Sequence, residues 1–434
     1  MIIKNFTISN IDMLYRDGKP IEYIQYANET ELKELLSVAN VSFYIKDATR
    51  LQSTLICELG DSYVQQSQRY VKSDNYSIDT LRDTDIYDKA NQLVQKSISL
   101  YERMTELKKP DKKGRLTAVD FKYGIPYEDA RYILPLAMKT NIKVSMSGDK
   151  LIDLYKLFLR HSILFTDNLR ELLHRDHKWL HKLIIEKCKF SYTSNISRKI
   201  YEDVFKDIKS DEVLIVDDMN SVDNVVLGGL TSTNIDPEEA LMKMDYDSKE
   251  LFIDRVAYGY GHSGILEQSR NTVGMCLSLS SYHQYIRHRL NKNIRENLSD
   301  IALDRKRGFY IPRTIYDSVF LDEYTELVNE YYKFLKTNCK GMHIDRTGIM
   351  LLNCMYVKFI SSSNARNDAF LFRERLCQNA QTEIRELMDM KYWRRRKSNP
   401  ALYKKAVPPC VYGQCKEGKM TCGYSPYMRG RYGK

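Results

Sequence analysis

The stretch 283-HQYIRHRLNKNIRENLSD-300 is the one from which the rest of the chain can be read. As a helix it places Gln284, Arg287 and His288 at i, i+3 and i+4, on one face. Two arginines bracketing a histidine, Arg287-His288-Arg289, suit an anionic or planar aromatic ligand. A guanidinium grips phosphate with two donors or stacks on a ring. Basic triplets are also common on solvated helix surfaces, so this one needs other motifs beside it to carry meaning.

A second stretch supplies them: 364-NARNDAFLFRERLCQNAQTEIREL-387. Ala365, Ala369, Phe372, Leu376, Ala380, Ile384 and Leu387 recur at three- and four-residue steps, which predicts one long amphipathic helix. Asn364 and Arg375 fall on about the same face of it, whereas Arg366 and Arg375 fall on nearly opposite faces. If both arginines bind ligand, the helix is sandwiched between two sites or two subunits.

The chain around these stretches has 434 residues, 43% hydrophobic. That is enough for roughly two or three domains with sizeable cores. It has no apolar run of membrane-spanning length and no leader-like opening, so a soluble, cytoplasmic protein is expected. Nine mostly scattered cysteines fit a reducing compartment better than a disulfide framework. The net charge of +10 favours an anionic partner such as a nucleotide or phosphorylated cofactor. Zinc fingers and aromatic RNA-binding signatures are lacking, so nucleic acid is not the expected partner. The basic run Lys391-Tyr-Trp-Arg-Arg-Arg-Lys397 reads as a solvated surface.

Polar, acidic segments at Lys209-Ser-Asp-Glu212 and Asp217-Asp-Met-Asn220 lie near the midpoint and divide the chain into residues 1–208 and 209–434. Each half has an early apolar segment, a polar loop, a Tyr-rich middle and a long amphipathic helix near its end. In the first half Leu151, Leu154, Phe158, Ile163 and Leu169 give a looser version of that helix. Before it, Ala130-Arg-Tyr-Ile-Leu-Pro135 and Ile142-Lys-Val-Ser-Met146 predict a turn leading into a strand. Helices with short antiparallel strands make an α+β class.

Gln284-Tyr-Ile-Arg-His-Arg289, Gly261-His262-Ser263 upstream of it, and Asn364-Ala-Arg366 nine residues before Arg375 resemble the flavin-dependent thymidylate synthase family (thymidylate synthase complementing protein). So do Asn379-Ala-Gln-Thr-Glu-Ile-Arg385 and the tail from Pro409-Cys410 through Cys415 to Gly423. In that family the Arg-His-Arg motif continues into a serine loop ending Gln/Gly-Arg-Tyr. Here Asn297 and Ser299 stand where its serine and arginine belong, and Gly348 falls near the place of a further arginine. The first half supplies all of these. In 62-SYVQQSQRYV-71, Gln66-Ser67-Gln68-Arg69-Tyr70 resembles the missing loop, and Glu128-Asp-Ala-Arg131 resembles the missing arginine motif. In turn the first half has Cys57-Glu58-Leu59 in place of Arg-His-Arg, and Ser147-Gly148-Asp149 in place of Asn-Ala-Arg.

The resemblance implies two tandem diverged copies, each with long helices and a small, mostly antiparallel sheet, that have lost opposite parts of one site. It implies methylation of deoxyuridine monophosphate by methylenetetrahydrofolate, with FAD and NADPH, at a composite site in a homodimer that forms a pseudo-tetramer. Arg375 and Ser67 are the implied catalytic residues. Gln284, Gln65, Ser67, Gln68, Arg69, Arg131 and Arg375 would bind nucleotide. Arg287, His288, Arg289, Asn364 and Arg366 would hold flavin, and His262 would serve folate or NADPH. Gln65 stands where the family often has Glu, and Phe370 where a polar residue often touches flavin. A changed pocket could instead pass the one-carbon unit to water and yield a hydroxymethylated pyrimidine nucleotide. A non-catalytic scaffold or nucleotide sensor is the rival from another class, disfavoured by the complementary retention.

Two other constellations carry less. His174, His177 and His181 would share a helix face and could ligate metal, though an ordinary amphipathic helix is the expectation. Cys410, Cys415 and Cys422 lack the CxxC pair of a zinc site. Neither a Walker loop nor a dinucleotide fingerprint occurs.

Overall fold

The computed structural model describes residues 1–17, 19–69, 72, 75–106, 125–160, 162–187, 195–210, 212–218, 221–338 and 344–433. Tyr70, at the end of the serine loop, lies outside them, as do the side chains of Phe158 and Ile163.

Two four-stranded antiparallel sheets organise the chain. The first holds β1 (Ile2–Ser9), β2 (Asn40–Thr49), β3 (Ser62–Gln65) and β4 (Lys139–Ser147), in the order β1-β2-β4-β3. The second holds β5 (Val213–Asp218), β6 (Asn271–Ser278), β7 (Lys292–Arg295) and β8 (Tyr356–Ser363), in the matching order β5-β6-β8-β7. Strand pleating explains the composition. In β2 Val41, Phe43 and Ile45 are fully buried while Ser42 and Tyr44 are partly open; in β4 Thr140, Ile142, Val144 and Met146 point inward. The register repeats as well. The last residue of β3, Gln65, pairs with Ile142, and the last residue of β7, Arg295, pairs with Phe359.

The helices that position the site are α1 (Arg50–Cys57), α2 (Tyr87–Thr105), α3 (Gly148–Arg160), α4 (Leu279–Tyr285), α5 (Leu321–Asn338), α6 (Ala365–Arg375) and α7 (Thr382–Ser398). Helices α1 and α4 each follow the second strand of their sheet. Each starts at a hydroxyl N-cap, Thr49 or Ser278, whose side chain accepts from the backbone N–H of Gln52 or Ser281.

The halves share one continuous core. Helices α2 and α5 pack against each other, with Ser97 donating to the Tyr331 hydroxyl at 2.8 Å. Between the sheets, the turn after Arg131 pairs with its counterpart after Gly348. Leu136 N–H reaches Leu351 O at 2.7 Å, Asn353 N–H reaches Leu134 O at 3.0 Å, and Cys354 N–H reaches Tyr132 O at 2.9 Å. The chain also crosses over at the midpoint: Phe205 and Ile208 pack on Cys276 and Tyr356 of the second sheet.

Three expectations need correction. The single helix read over 364–387 is two helices, α6 and α7, with a non-helical turn at residues 376–381. Tertiary contacts override the periodicity there: Gln381 and the Asn379 carbonyl bond to the first half, and Arg385 bonds the freed carbonyls of Gln378 and Ala380 at 3.2 and 3.3 Å. The run Lys391–Lys397 is solvated on one side only, at Trp393, Arg394 and Lys397. Lys391, Tyr392 and Arg395 are fully buried on the inner side of α7, and Lys391 forms a 2.6 Å ion pair with Asp368 inside the core. Finally, the helix through the three histidines is interrupted at His177: the His174 and His181 rings lie 5.8 Å apart, while the His177 ring packs against Phe6. Among the described residues no group of His, Cys, Asp or Glu is arranged to hold a metal ion, and no helix is long and apolar enough to cross a membrane.

Candidate active site

The fold draws both halves to one cluster of polar side chains. From the first half come Arg50 at the start of α1, the loop after β3 with Gln65, Ser67 and Arg69, and the turn with Glu128 and Arg131. From the second come His283 and Gln284 on α4, Arg287 just past it, Arg375 at the end of α6, and Asn379 and Gln381 in the turn before α7.

The two sets are stitched together inside a single chain. Arg69 Nε donates to Glu128 Oε2 at 2.6 Å, and its Nη2 donates to the Asn379 carbonyl at 3.0 Å. Arg131, only 3% exposed, donates to Gln381 Oε1 at 2.6 Å and to the Glu128 carbonyl at 3.2 Å. The Gln284 amide donates to the same Gln381 oxygen, while Gln381 Nε2 donates to the Glu128 carbonyl at 3.1 Å. Arg287 Nη2 reaches Gln65 Oε1 at 3.3 Å, and Arg375 Nη2 reaches the Gln284 carbonyl at 3.4 Å. The sequence separates Arg287 from the Gln65–Arg69 loop by more than two hundred positions; the fold sets them side by side. Ser67 lies within that loop, its Oγ accepting from the Arg69 N–H at 3.2 Å.

Electrostatics show what the cluster lacks. Burial pushes Arg50 down to about 9, with Arg131 and Arg287 adding to the shift. Burial pushes Arg131 down to about 10, and Arg69 and Arg287 act in the same direction. Arg375 is likewise pushed down to about 10 by burial, then by Arg287 and Arg69. All three remain cationic at neutral pH. Five guanidinium groups therefore face one another, with Glu128 the carboxylate bonded among them. Arg50 Nε and Arg375 Nε are buried without a hydrogen-bond partner among the described residues. Such a cluster favours an anion, and phosphate oxygens could accept from its free guanidinium donors. His283 is held neutral by burial and by Arg50, Arg287 and Arg131, and it bridges Thr54 and Gln65.

The remaining motif residues lie on the α6 side. Asn364 caps α6, accepting from Asn367 N–H at 2.8 Å, and Asn367 Nδ2 reaches the Leu290 carbonyl just after Arg-His-Arg at 3.2 Å. Arg366 points the other way from Arg375 and pairs with Glu267. His288 is pushed down to about 3 by burial, then by Arg375 and Lys391, so its imidazole is neutral; its Nε2 is buried without a partner among the described residues. Arg289 is already engaged, donating to Ser62 and the Tyr63 carbonyl and lying 4.6 Å over the Tyr63 ring. His262 is exposed ahead of the 3-10 turn Ser263–Gln268 and is not joined to the arginine cluster by a hydrogen bond among the described residues. Phe370 is 43% exposed.

A family model described as "Thymidylate synthase complementing protein" matches residues 5–164 and again 215–400. The chain belongs to that family. It is a tandem of two family copies, since one model matches twice in succession. Its relatives include the flavin-dependent thymidylate synthases of Geobacter sulfurreducens, 29% identical over 195 residues, and Clostridium tetani, 28% identical over 191 residues. The two alignments cover 43% and 40% of this chain and 82% and 77% of those proteins. A crystal structure of the enzyme ThyX from Helicobacter pylori, complexed with FAD and dUMP, is similar over 45% of this chain and 99% of its own, at 15% identity and a TM-score of 0.38.

Sequence reasoning missed Arg50, His283, Glu128 and Gln381. Arg50 had a usable signal, a lone arginine following a Thr N-cap in an otherwise uncharged stretch. Gln381 stood inside the Asn379–Arg385 motif, but the apparent helix hid the turn that presents it.

Proposed function

We propose that this tandem protein is a flavin-dependent thymidylate synthase, methylating deoxyuridine monophosphate at carbon 5 with methylenetetrahydrofolate and NADPH, at one composite site per chain. The observation that supports it most directly is the convergence of Arg50, Arg69 and Arg131 from one half with Arg287 and Arg375 from the other. On this reading Arg69, Arg131, Arg50 and the Ser67 hydroxyl bind the phosphate, with Gln65 and Gln68 shaping the loop around it. Gln284 hydrogen-bonds the pyrimidine edge. Arg375 sits beside the ring oxygens and stabilises the negative charge that makes carbon 5 nucleophilic.

The flavin-side residues fit such a cofactor, because His288 Nε2 and Arg366 Nε are buried donors or acceptors with no partner among the described residues. Arg287, His288, Asn364 and Arg366 would hold it, Arg289 would act by fixing the β3 edge, and His262 would stand at the folate or NADPH entrance. The flavin, when bound, supplies the hydride; this chain's residues bind, orient and polarise. The proposed assembly is a homodimer of chains divided at about residue 208, in which two tandem pairs form a pseudo-tetramer.

Purified protein should be yellow with flavin absorbance and should release tritium from deoxyuridine monophosphate labelled at carbon 5 when folate and NADPH are present. Colourless protein that binds no nucleotide sinks the proposal. Tritium release with a hydroxymethylated product by mass spectrometry would replace methylation with hydroxymethylation.

A further inference from the structure

The pseudo-symmetry of the chain defines a second place where a site ought to be. Strand register makes Arg295 the counterpart of Gln65, since each ends its edge strand opposite Phe359 or Ile142. Counting from the N-caps Ser278 and Thr49 makes Glu58 the counterpart of Arg287, one place earlier than the motif alignment, which set Glu58 opposite His288; it also makes Tyr282 the counterpart of Ser53, and Leu279 of Arg50. The equivalent 3-10 turns Gly348–Met350 and Arg131–Ile133 make Gly348 the counterpart of Arg131.

At this mate position the charges are inverted. Where Arg287 meets Gln65 through one 3.3 Å hydrogen bond, Glu58 and Arg295 form a two-pronged ion pair, Nε to Oε1 at 2.5 Å and Nη2 to Oε2 at 3.0 Å. Tyr282, 2% exposed, stands where the buried Ser53 stands in the first site, and it donates to Glu58 at 3.0 Å, whereas Ser53 accepts from the Gln65 amide. Next to it, Glu296 pairs with Arg307 and accepts the Lys358 N–H at 2.7 Å. Two guanidiniums of the first site, Arg50 and Arg131, are replaced here by leucine and glycine. The carboxylate of Glu58 would meet an incoming phosphate with like charge.

We propose that the Glu58–Arg295 pair, covered by Tyr282, seals the duplicate site and converts it into a clamp between the two halves. This rests on the composite-site reading above for the statement that the sealed place descends from a nucleotide site. The clamp itself is tested without ligand. Breaking one partner of a poorly exposed two-pronged pair is costly, whereas removing both is close to neutral. Glu58→Gln and Arg295→Gln should each lower the unfolding midpoint by roughly 3–6 °C, and the double variant should recover most of that loss. Additive losses, or none, overturn the clamp.

Sealing is read by calorimetric titration of the whole chain with deoxyuridine monophosphate. One equivalent per chain is expected, and two equivalents overturn the seal. No binding at all overturns the nucleotide reading and with it the seal, while the unfolding data still decide the clamp on their own.

Discussion

Mixing two inactive variants tests whether each site is built within one chain. Arg69→Ala removes a first-half group that donates to Glu128 and to Asn379 O; Arg375→Ala removes a second-half group. Losing a charge-assisted contact to phosphate costs about 1.5–3 kcal/mol, so Arg69→Ala should lower kcat/KM roughly 10- to 150-fold. On the proposed reading Arg375 acts on charge that develops during reaction, and its loss should cost roughly 100- to 1,000-fold in kcat. The variants are then unfolded together and refolded at equal concentration. In a two-fold dimer half of the assemblies are mixed. If sites formed between chains, each mixed dimer would hold one fully intact site, and activity would recover to about a quarter of wild type. The bonds from Arg69 to Asn379, Arg131 to Gln381 and Arg287 to Gln65 all run within one chain, so the expected recovery is nil, the mean of the two variants. Tritium release from labelled deoxyuridine monophosphate is the assay. Recovery near a quarter would refute the assignment of both halves of the site to one chain.

Other outcomes follow from the same structure. Arg50 is a buried cation repelled by Arg131 and Arg287, with Nε unpaired, so Arg50→Met should raise the melting temperature of ligand-free protein while weakening nucleotide binding at least about tenfold by titration. A lowered melting temperature with unchanged affinity would count against its place in the anion site. Asp129 is pushed up to about 7, chiefly by burial and then by Glu128, against the pull of Thr314, Arg131 and Arg69. Its contribution to stability is fully present below about pH 4 and is lost as pH rises through about 7. Asp129→Asn, which can still accept from Thr314, should flatten the melting-temperature profile between pH 5 and 8, a difference of up to roughly 2.5 kcal/mol; parallel profiles would contradict this. Lys391→Met strands the fully buried Asp368 carboxylate and should cost about 3–5 kcal/mol in denaturant unfolding, whereas a loss within about 0.5 kcal/mol would fit a surface lysine.

How far the residues spoke for themselves varies by element. The α+β class and the tandem were legible because strand alternation and motif order are local properties: Ile142, Val144 and Met146 announce a half-buried strand without help from elsewhere. The motifs of each half were legible too. Gln66-Ser67-Gln68-Arg69 in one half and Arg287-His288-Arg289 in the other are each incomplete in a way the other completes.

Wherever distant residues compete with local preference, only the tertiary structure could decide. The apolar rhythm from Ala365 to Leu387 favours one helix, yet hydrogen bonds from Arg69, Arg131 and Gln284 are worth more than continued helix at Asn379 and Gln381, and the chain turns. The basic run Lys391–Lys397 favours solvent, yet Asp368 on the neighbouring helix draws Lys391 into the core. Sequence lists the charges; whether a charge faces water, a partner or a ligand depends on what the fold packs beside it. That is also why Glu58 and Arg287, in equivalent positions, end in an ion pair with Arg295 and in a hydrogen bond to Gln65.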